Sequence, residues 1–469
     1  MSEICFMDAV SMARAIRTRE VSVSEVIEAH IAQIERVNPT VNAIVTQTLD
    51  VARIEATAAD VALAAGHQPG PLFGLPVAHK DSYLTAGVRT TFGSEAYRDF
   101  VPAHDSAVVA RQKAAGAITL GKTNLPEFGA GSHTFNTVFG ATHNPYRHGV
   151  SAGGSSGGSA AALAAGMVAL ADGSDMGGSL RNPASFCNIV GLRPSMGRVP
   201  MAPSAFAFNT QTVGGPMGRT VSDVALLMSV IAGQTAADPL SVSEPGAQFA
   251  DLPEMSCMGL RVAVSPTLGG LPFAPAVRRA LDEGVRMCES LGCVVDEAEP
   301  DFTGADHAFE VFRALAFATS YGSVRAEHGE RIKEAVRWNV DLGLSLDGAA
   351  VAEAERARTR LFALMQALLE QYDFLIAPVS QVLPFSVETE YPAEIAGVAM
   401  ESYIAWMRSC YRITITGHPA LSLPCAFTDS GLPVGLQIVG KYRGERNLLA
   451  FARMLERANP TGRRRPPGM

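Results

Sequence analysis

Three residues of this chain have the chemistry and the setting for acyl transfer: Lys80, which ends the apolar run Leu75-Pro76-Val77-Ala78, and Ser155 and Ser179, each set in a glycine-rich loop. The first loop reads Gly153-Gly154-Ser155-Ser156-Gly157-Gly158-Ser159 and the second Gly173-Ser174-Asp175-Met176-Gly177-Gly178-Ser179-Leu180-Arg181. A glycine-rich loop that opens into a helix presents several backbone N–H groups, which can hold an anion or a developing oxyanion. That supplies half of an acyl-transfer site; a serine hydroxyl and a base to take its proton supply the rest. A lysine becomes such a base when burial disfavours its ammonium form. Each component also has an ordinary reading: Gly and Ser are common turn residues, and a strand-end lysine often lays its stem on apolar surface with its charge in water.

Three competing chemistries are weaker. Gly116 to Thr123 fits the phosphate-loop pattern GxxxxGK[ST], but its four intervening residues form an apolar strand, and Pro126 interrupts the helix that should follow Lys122. Gly153-Gly154-Ser155-Ser156-Gly157 satisfies the GxSxG nucleophile elbow, which would make Ser155 the nucleophile of an esterase with His307, His328 or His418 as base. That elbow needs a hydrophobic strand before it, and polar turn residues from Pro145 to Ala152 stand there instead. Ten histidines give no HExxH, so no metal ligands are assigned.

The elements that must position these groups alternate in type. The capping-box spacing Ser22 to Glu25 predicts a helix over 22–37, and the first sixty residues read mainly helical. A short strand then leads into Lys80. A helix is expected over 106–115, a strand over 117–121, a loop through 154, an Ala-rich helix over 156–166, a strand over 167–172 and a short helix from 179. The second half continues with strands near 260–264, 374–378, 420–423 and 434–439 and helices near 276–290, 352–371 and 397–413. This alternation predicts an α/β fold with helices on both faces of a sheet. Segments 240–256 and 380–395, rich in Pro, Ser and acidic residues, read as surface loops.

Bulk properties narrow the function classes. With 469 residues, 47% hydrophobic and 18% charged, the chain can bury a large core. A net charge of −8 argues against a general nucleic-acid binder, and the Ala-rich stretch 160–171 is too short to span a membrane. Seven cysteines without a CxxC pair, and an N-terminus without a signal-peptide pattern, predict a cytoplasmic protein with reduced thiols.

Lys80, the first Ser loop and the second Gly loop occur in an order that resembles the amidase signature family. The likeness runs from about Gly74 to Gly197, through Gly74-Leu-Pro-Val-Ala-His-Lys-Asp81 and Gly121-Lys-Thr-Asn-Leu-Pro-Glu127, and resumes in Thr416-Gly-His-Pro-Ala-Leu-Ser-Leu-Pro424 and Gly431-Leu-Pro-Val-Gly-Leu-Gln-Ile-Val-Gly440. The resemblance implies an amidase signature fold with a central mixed β-sheet covered by helices on both faces. It implies one domain over 1–459, with a helical N-terminal region over 1–65 and a signature core about 74–197; the Pro/Gly-rich tail 460–469 is expected to be disordered. It implies a Ser–Ser–Lys triad of Lys80, Ser155 and Ser179, with Ser155 on a cis peptide bond. In that triad Ser179 attacks, Ser155 passes its proton on, and a neutral Lys80 receives it. The backbone N–H groups of Met176, Gly177, Gly178 and Ser179 would form the oxyanion hole, Asp175 and Arg181 would brace the loop as an ion pair, and Gly129 and Gly131 would face the substrate. The sequence departs from the usual family pattern at His79, Met176 and Asn188, none of which removes a catalytic group.

The expected activity is hydrolysis of a carboxylic acid amide to acid and ammonia or amine through a seryl acyl-enzyme, with no cofactor. The expected partner is a small-molecule amide, with no nucleic acid and no membrane, and a homodimer is left open. The family includes the glutamine-hydrolysing subunit of tRNA-dependent amidotransferases, which carries a Tyr-rich segment where this chain has Trp338 to Asp347, so a stand-alone amidase is the expectation. A catalytically silent binding subunit is the alternative outside enzymology. Trp406 or Tyr403 would meet a hydrophobic acyl or aryl group, or simply pack in the core.

Overall fold

In the computed structural model, which describes residues 2–469, the capping box at Ser22 closes. Ser22 Oγ accepts the Glu25 N–H at 3.1 Å, and Glu25 Oε2 accepts the Ser22 N–H at 2.8 Å. The helix it starts runs Val23–Val41, a turn beyond the expected end, and stops where Asn42 turns left-handed at φ 54°. Its Val26, Ile27, Ile31 and Ile34 are buried, each contributing about 1.5–3 kcal/mol relative to exposure. The N-terminal region is not purely helical, because Ile44–Gln47 pairs into the sheet.

One mixed sheet of 11 strands gathers residues from both halves of the chain. In chain order its strands are β1 (Ile44–Gln47), β2 (Pro76–Lys80), β3 (Ile118–Thr123), β4 (Leu170–Asp175), β5 (Val190–Arg193), β6 (Val213–Gly218), β7 (Arg261–Val264), β8 (Val294–Glu297), β9 (Phe374–Pro378), β10 (Ala420–Phe427) and β11 (Pro433–Val439). Their spatial order is β1-β3-β2-β4-β6-β5-β10-β11-β9-β7-β8. β2 runs parallel to both β3 and β4, and β7 parallel to β8 and β9; the remaining pairs are antiparallel. β2, β3, β6, β9 and β11 are buried at every residue, as strands covered on both faces must be. No helix among the described residues is long and apolar enough to cross a membrane.

Several expected elements differ from those observed. The stretch 122–154 is not a plain loop: Phe135–Asn136 pairs with Gly140–Ala141, and His143–Asn144 with Arg147–Ser151. Asn136 Oδ1 accepts the amides of Val138 and Phe139 and so builds the first turn from its side chain. The strand expected over 167–172 lies at 170–175, because its ladder with β6 joins Leu170 to Gly218 and Asp175 to Val213. The helix expected over 397–413 is two things: a hairpin of Glu394–Ile395 with Val398–Ala399, and a helix Arg408–Ile415. Ala396 and Gly397 both take positive φ, which suits a two-residue hairpin turn and breaks the helical pattern. The tail 460–469, expected to be disordered, packs instead: Tyr146 Oη donates to the Arg464 carbonyl, Asn188 Nδ2 donates to the Thr461 carbonyl at 3.0 Å, and the Arg464 guanidinium lies 4.1 Å from the Phe427 ring centroid.

Candidate active site

β2 and β4 are parallel with Val77 beside Leu170 and Ala78 beside Ala171, so Lys80 and the residues after Asp172 emerge at the same end of the sheet. That register brings together groups almost a hundred residues apart. Lys80 Nζ lies 2.7 Å from Ser155 Oγ and 3.0 Å from Ser174 Oγ. Lys80 is 1% exposed, so the strand-end reading with its charge in water does not hold. Burial lowers its pKa to about 7, although the carboxylates of Asp175 and Asp172 pull the other way. An amine in that state is a base at neutral pH.

Ser155 stands just ahead of the fully buried helix Gly157–Ala164, and the Gly154–Ser155 peptide is cis, as the family resemblance implies. The helix is made of small residues because it lies directly on the chain beneath it: a Cβ on Gly158 would come 2.3 Å from the Asn124 nitrogen. The two glycine loops are tied where Ser156 N–H donates to the Ser179 carbonyl at 3.2 Å. Ser179, 8% exposed, lines a cavity of about 370 Å³ together with Lys80, Ser155, Ser174, Met176 and Gly129. Its hydroxyl makes no hydrogen bond among the described residues, leaving it free toward the cavity.

The loop that carries Ser179 is fixed by Asp175. Arg181 Nη2 and Arg193 Nη1 lie 3.0 and 3.2 Å from Asp175 Oδ1, all three side chains being buried. Burial would raise the Asp175 pKa, but the two guanidiniums outweigh it and hold the carboxyl well below the usual carboxylate range. Asp175 also accepts the N–H of Gly178 at 2.9 Å and of Leu180 at 3.1 Å. The Gly178 amide is therefore turned into its own loop and is not free for an oxyanion, contrary to the expectation from sequence. The amides of Met176, Gly177 and Ser179 take no acceptor among the described residues. Gly178 is still required as glycine: its φ is 112°, and a Cβ would come 2.5 Å from Cys410 Cβ.

The remaining sequence candidates divide. Gly129 faces the site, since a Cβ there would lie 3.3 Å from Ser155 Oγ, whereas Gly131 is not among the cavity-lining residues and has Tyr403 as its nearest neighbour. Trp406 is core, 1% exposed against Phe385. None of His307, His328 and His418 lines the cavity, and His418 is occupied by Gln366 and Thr416. The partner within reach of Ser155 is a lysine, which removes the elbow-type esterase.

Sequence reasoning missed three groups. Ser174 touches Lys80 directly. Asp172 Oδ1 accepts the Lys80 N–H at 2.8 Å, and its Oδ2 lies 2.6 Å from His79 Nδ1 and accepts Gln112 Nε2 at 2.8 Å, all in the buried core. Asp172 and Ser174 stand at period-two spacing on one face of β4, but the strand expected over 167–172 stops short of Ser174, so the sequence did not bring the two together. His79, noted as a departure, is thus the partner of an equally polar Asp172. The third group, Arg313, comes from a distant helix.

The chain is similar to proteins of known family. Residues 25–449 match the Amidase family. The chain is 33% identical to an acylamidase of Rhodococcus erythropolis, covering 98% of this chain and 97% of that protein. It is 35% identical to a glutamyl-tRNA(Gln) amidotransferase subunit of Moorella thermoacetica, covering 99% of each. Among solved structures, a bacterial aryl acylamidase of the amidase signature enzymes superposes with a TM-score of 0.91 at 29% identity, over 98% of each chain.

Proposed function

Because this chain belongs to the amidase signature family and is a hydrolase of amide C–N bonds, we propose that it cleaves a small carboxylic acid amide through an acyl-enzyme on Ser179. The observation that carries this reading is the buried Lys80 amine 2.7 Å from Ser155 Oγ, both lining the cavity that Ser179 also lines. As substrate enters, Ser155 O–H donates to the neutral Lys80 Nζ and its oxygen takes the proton that leaves Ser179 Oγ. The Ser179 oxygen then attacks the amide carbon, and the charge that develops on the carbonyl oxygen is met by the amides of Met176, Gly177 and Ser179. Protonated Lys80 returns its proton through Ser155 to the leaving nitrogen, so ammonia or an amine departs and an ester to Ser179 remains. Water, deprotonated along the same path, releases the acid. Gly129 keeps space open beside Ser155 for the scissile group.

The chain acts alone in this reading, as the absence of a Tyr-rich segment at Trp338 to Asp347 suggests. The test is a panel of aliphatic amides, anilides and glutamine scored by ammonia or amine release from the purified chain. Turnover of amides or anilides that disappears in Ser179→Ala is the expected result. Full activity in Ser179→Ala removes the proposed nucleophile, and activity on glutamine only when a partner protein is added would place the chain with the amidotransferase subunits.

A further inference from the structure

Arg313 is a buried cation without a counter-charge. Four arginines are buried among the described residues, and three of them are ion-paired: Arg181 and Arg193 with Asp175, and Arg198 with Glu445. Arg313, 3% exposed, has no Asp or Glu oxygen among the described residues within 4.0 Å. Its hydrogen bonds go to neutral atoms only. Nε and Nη2 donate to Tyr403 Oη at 3.3 and 2.7 Å, and Nη1 points at the thioether sulfur of Met176 at 3.3 Å. Asn339 Nδ2 donates to the same phenol oxygen, so three N–H groups converge on an atom with two lone pairs. The rings of Phe317 and Tyr403, 4.6 and 5.6 Å from the guanidinium carbon, stack on it without neutralising it. A buried charge in this state is costly unless something supplies acceptors and the opposite charge.

The place where that supply would enter is the cavity. Arg313 lines it from the helix Ala305–His328, and one turn earlier Phe309 lies against the serine loop, where a Cβ on Gly177 would come 3.1 Å from Phe309 Cζ. Met176, which Arg313 touches, is three residues from Ser179, so their Cα atoms are at most about 11 Å apart. We infer that Arg313 is a substrate-binding residue and that the enzyme selects amides bearing a carboxylate a few bonds from the scissile carbonyl. The inference rests on the Ser179 reading of the cavity. A carboxylate supplies the missing charge and two acceptor oxygens in the planar arrangement a guanidinium fork accepts, which a neutral amide of the same length cannot do.

The test compares pairs that differ by carboxylate against methyl: glutaramic acid with valeramide for a charge on the acyl side, and N-benzoyl-β-alanine with N-propylbenzamide for a charge on the amine side. The wild-type ratio of kcat/KM, charged over neutral, is expected to exceed about 100 in one pair and to fall about 100-fold in Arg313→Met. Arg313→Lys, which keeps the charge but not the fork, is expected to fall between the two and guards against loss of fold in the methionine variant. A wild-type ratio near or below one in both pairs, or a ratio unchanged in Arg313→Met, overturns the inference. Ser179→Ala separates this failure from failure of the underlying reading: if it is inactive on all four compounds while the ratios show no charge preference, the carboxylate inference alone is wrong.

Discussion

Lowering the pH titrates Lys80, the base of the proposed mechanism. Burial moves Lys80 from 10.5 to about 7, a differential cost to the ammonium form of about 5 kcal/mol at 1.36 kcal/mol per unit. A lysine at 10.5 would be neutral in roughly three molecules in ten thousand at pH 7, whereas Lys80 is neutral in about half, a gain of about 10³ in available base. Below pH 7 the neutral fraction falls tenfold per unit, so kcat/KM for an uncharged amide should drop to about one-hundredth of its plateau at pH 5 and level off above pH 8. The assay is kcat/KM from pH 5 to 10, run beside the rate at which a fluorophosphonate labels the enzyme, which should trace the same limb because it needs the same base. A profile flat to pH 5 in both measurements refutes a titrating lysine. A limb centred near 10 shows that Lys80 is solvated as an ordinary lysine.

The surroundings of the site make further predictions. The Asp172 carboxylate favours the Lys80 ammonium, so Asp172→Asn should shift the acid limb of kcat/KM to lower pH; a shift to higher pH contradicts the assigned sign. Gly178→Ala forces a positive φ on alanine and a 2.5 Å contact with Cys410, and should cost on the order of 3 kcal/mol by denaturant unfolding and at least 10²-fold in kcat. Arg181→Met leaves Asp175 with Arg193 as its one counter-ion in a fully buried setting, so unfolding free energy should fall by about 3–5 kcal/mol. Lys80 has a folded pKa below its unfolded value, so the folded chain binds fewer protons between about pH 7 and 10.5 and stability rises with pH across that window. Lys80→Met should flatten that stretch of a Tm-against-pH curve while abolishing turnover.

The residues of the proposed triad stood out in the sequence because their signals are local. Each serine sits in its own glycine loop, and the capping box at Ser22, the strand into Lys80 and the strands at 374–378 and 434–439 follow from short-range pattern. What the sequence concealed depends on register and on distant packing. The family resemblance offered the Gly178 amide as an oxyanion donor, yet Asp175 folds back to take it, a consequence of a carboxylate held by Arg181 and Arg193 from later elements. The hairpin at 394–399 was split between an expected surface loop ending at 395 and an expected helix starting at 397, and the positive φ of Ala396 and Gly397 joins the two halves into one turn instead. His79 was visible as a departure, but its meaning required the β2–β4 pairing that brings Asp172 alongside. Arg313 lies on a helix far along the chain, and periodicity cannot tell a surface arginine from one that faces a cavity.

In the proposed reaction Ser179, and not Ser155, is the attacking oxygen. Incubation with a fluorophosphonate followed by proteolysis and mass spectrometry reads this directly. A single covalent adduct is expected on the peptide carrying Ser179, absent in Ser179→Ala and slowed by about 10² to 10⁴ in Lys80→Met, on the order expected for loss of a general base. An adduct on Ser155, or labelling that persists in Ser179→Ala, would contradict it.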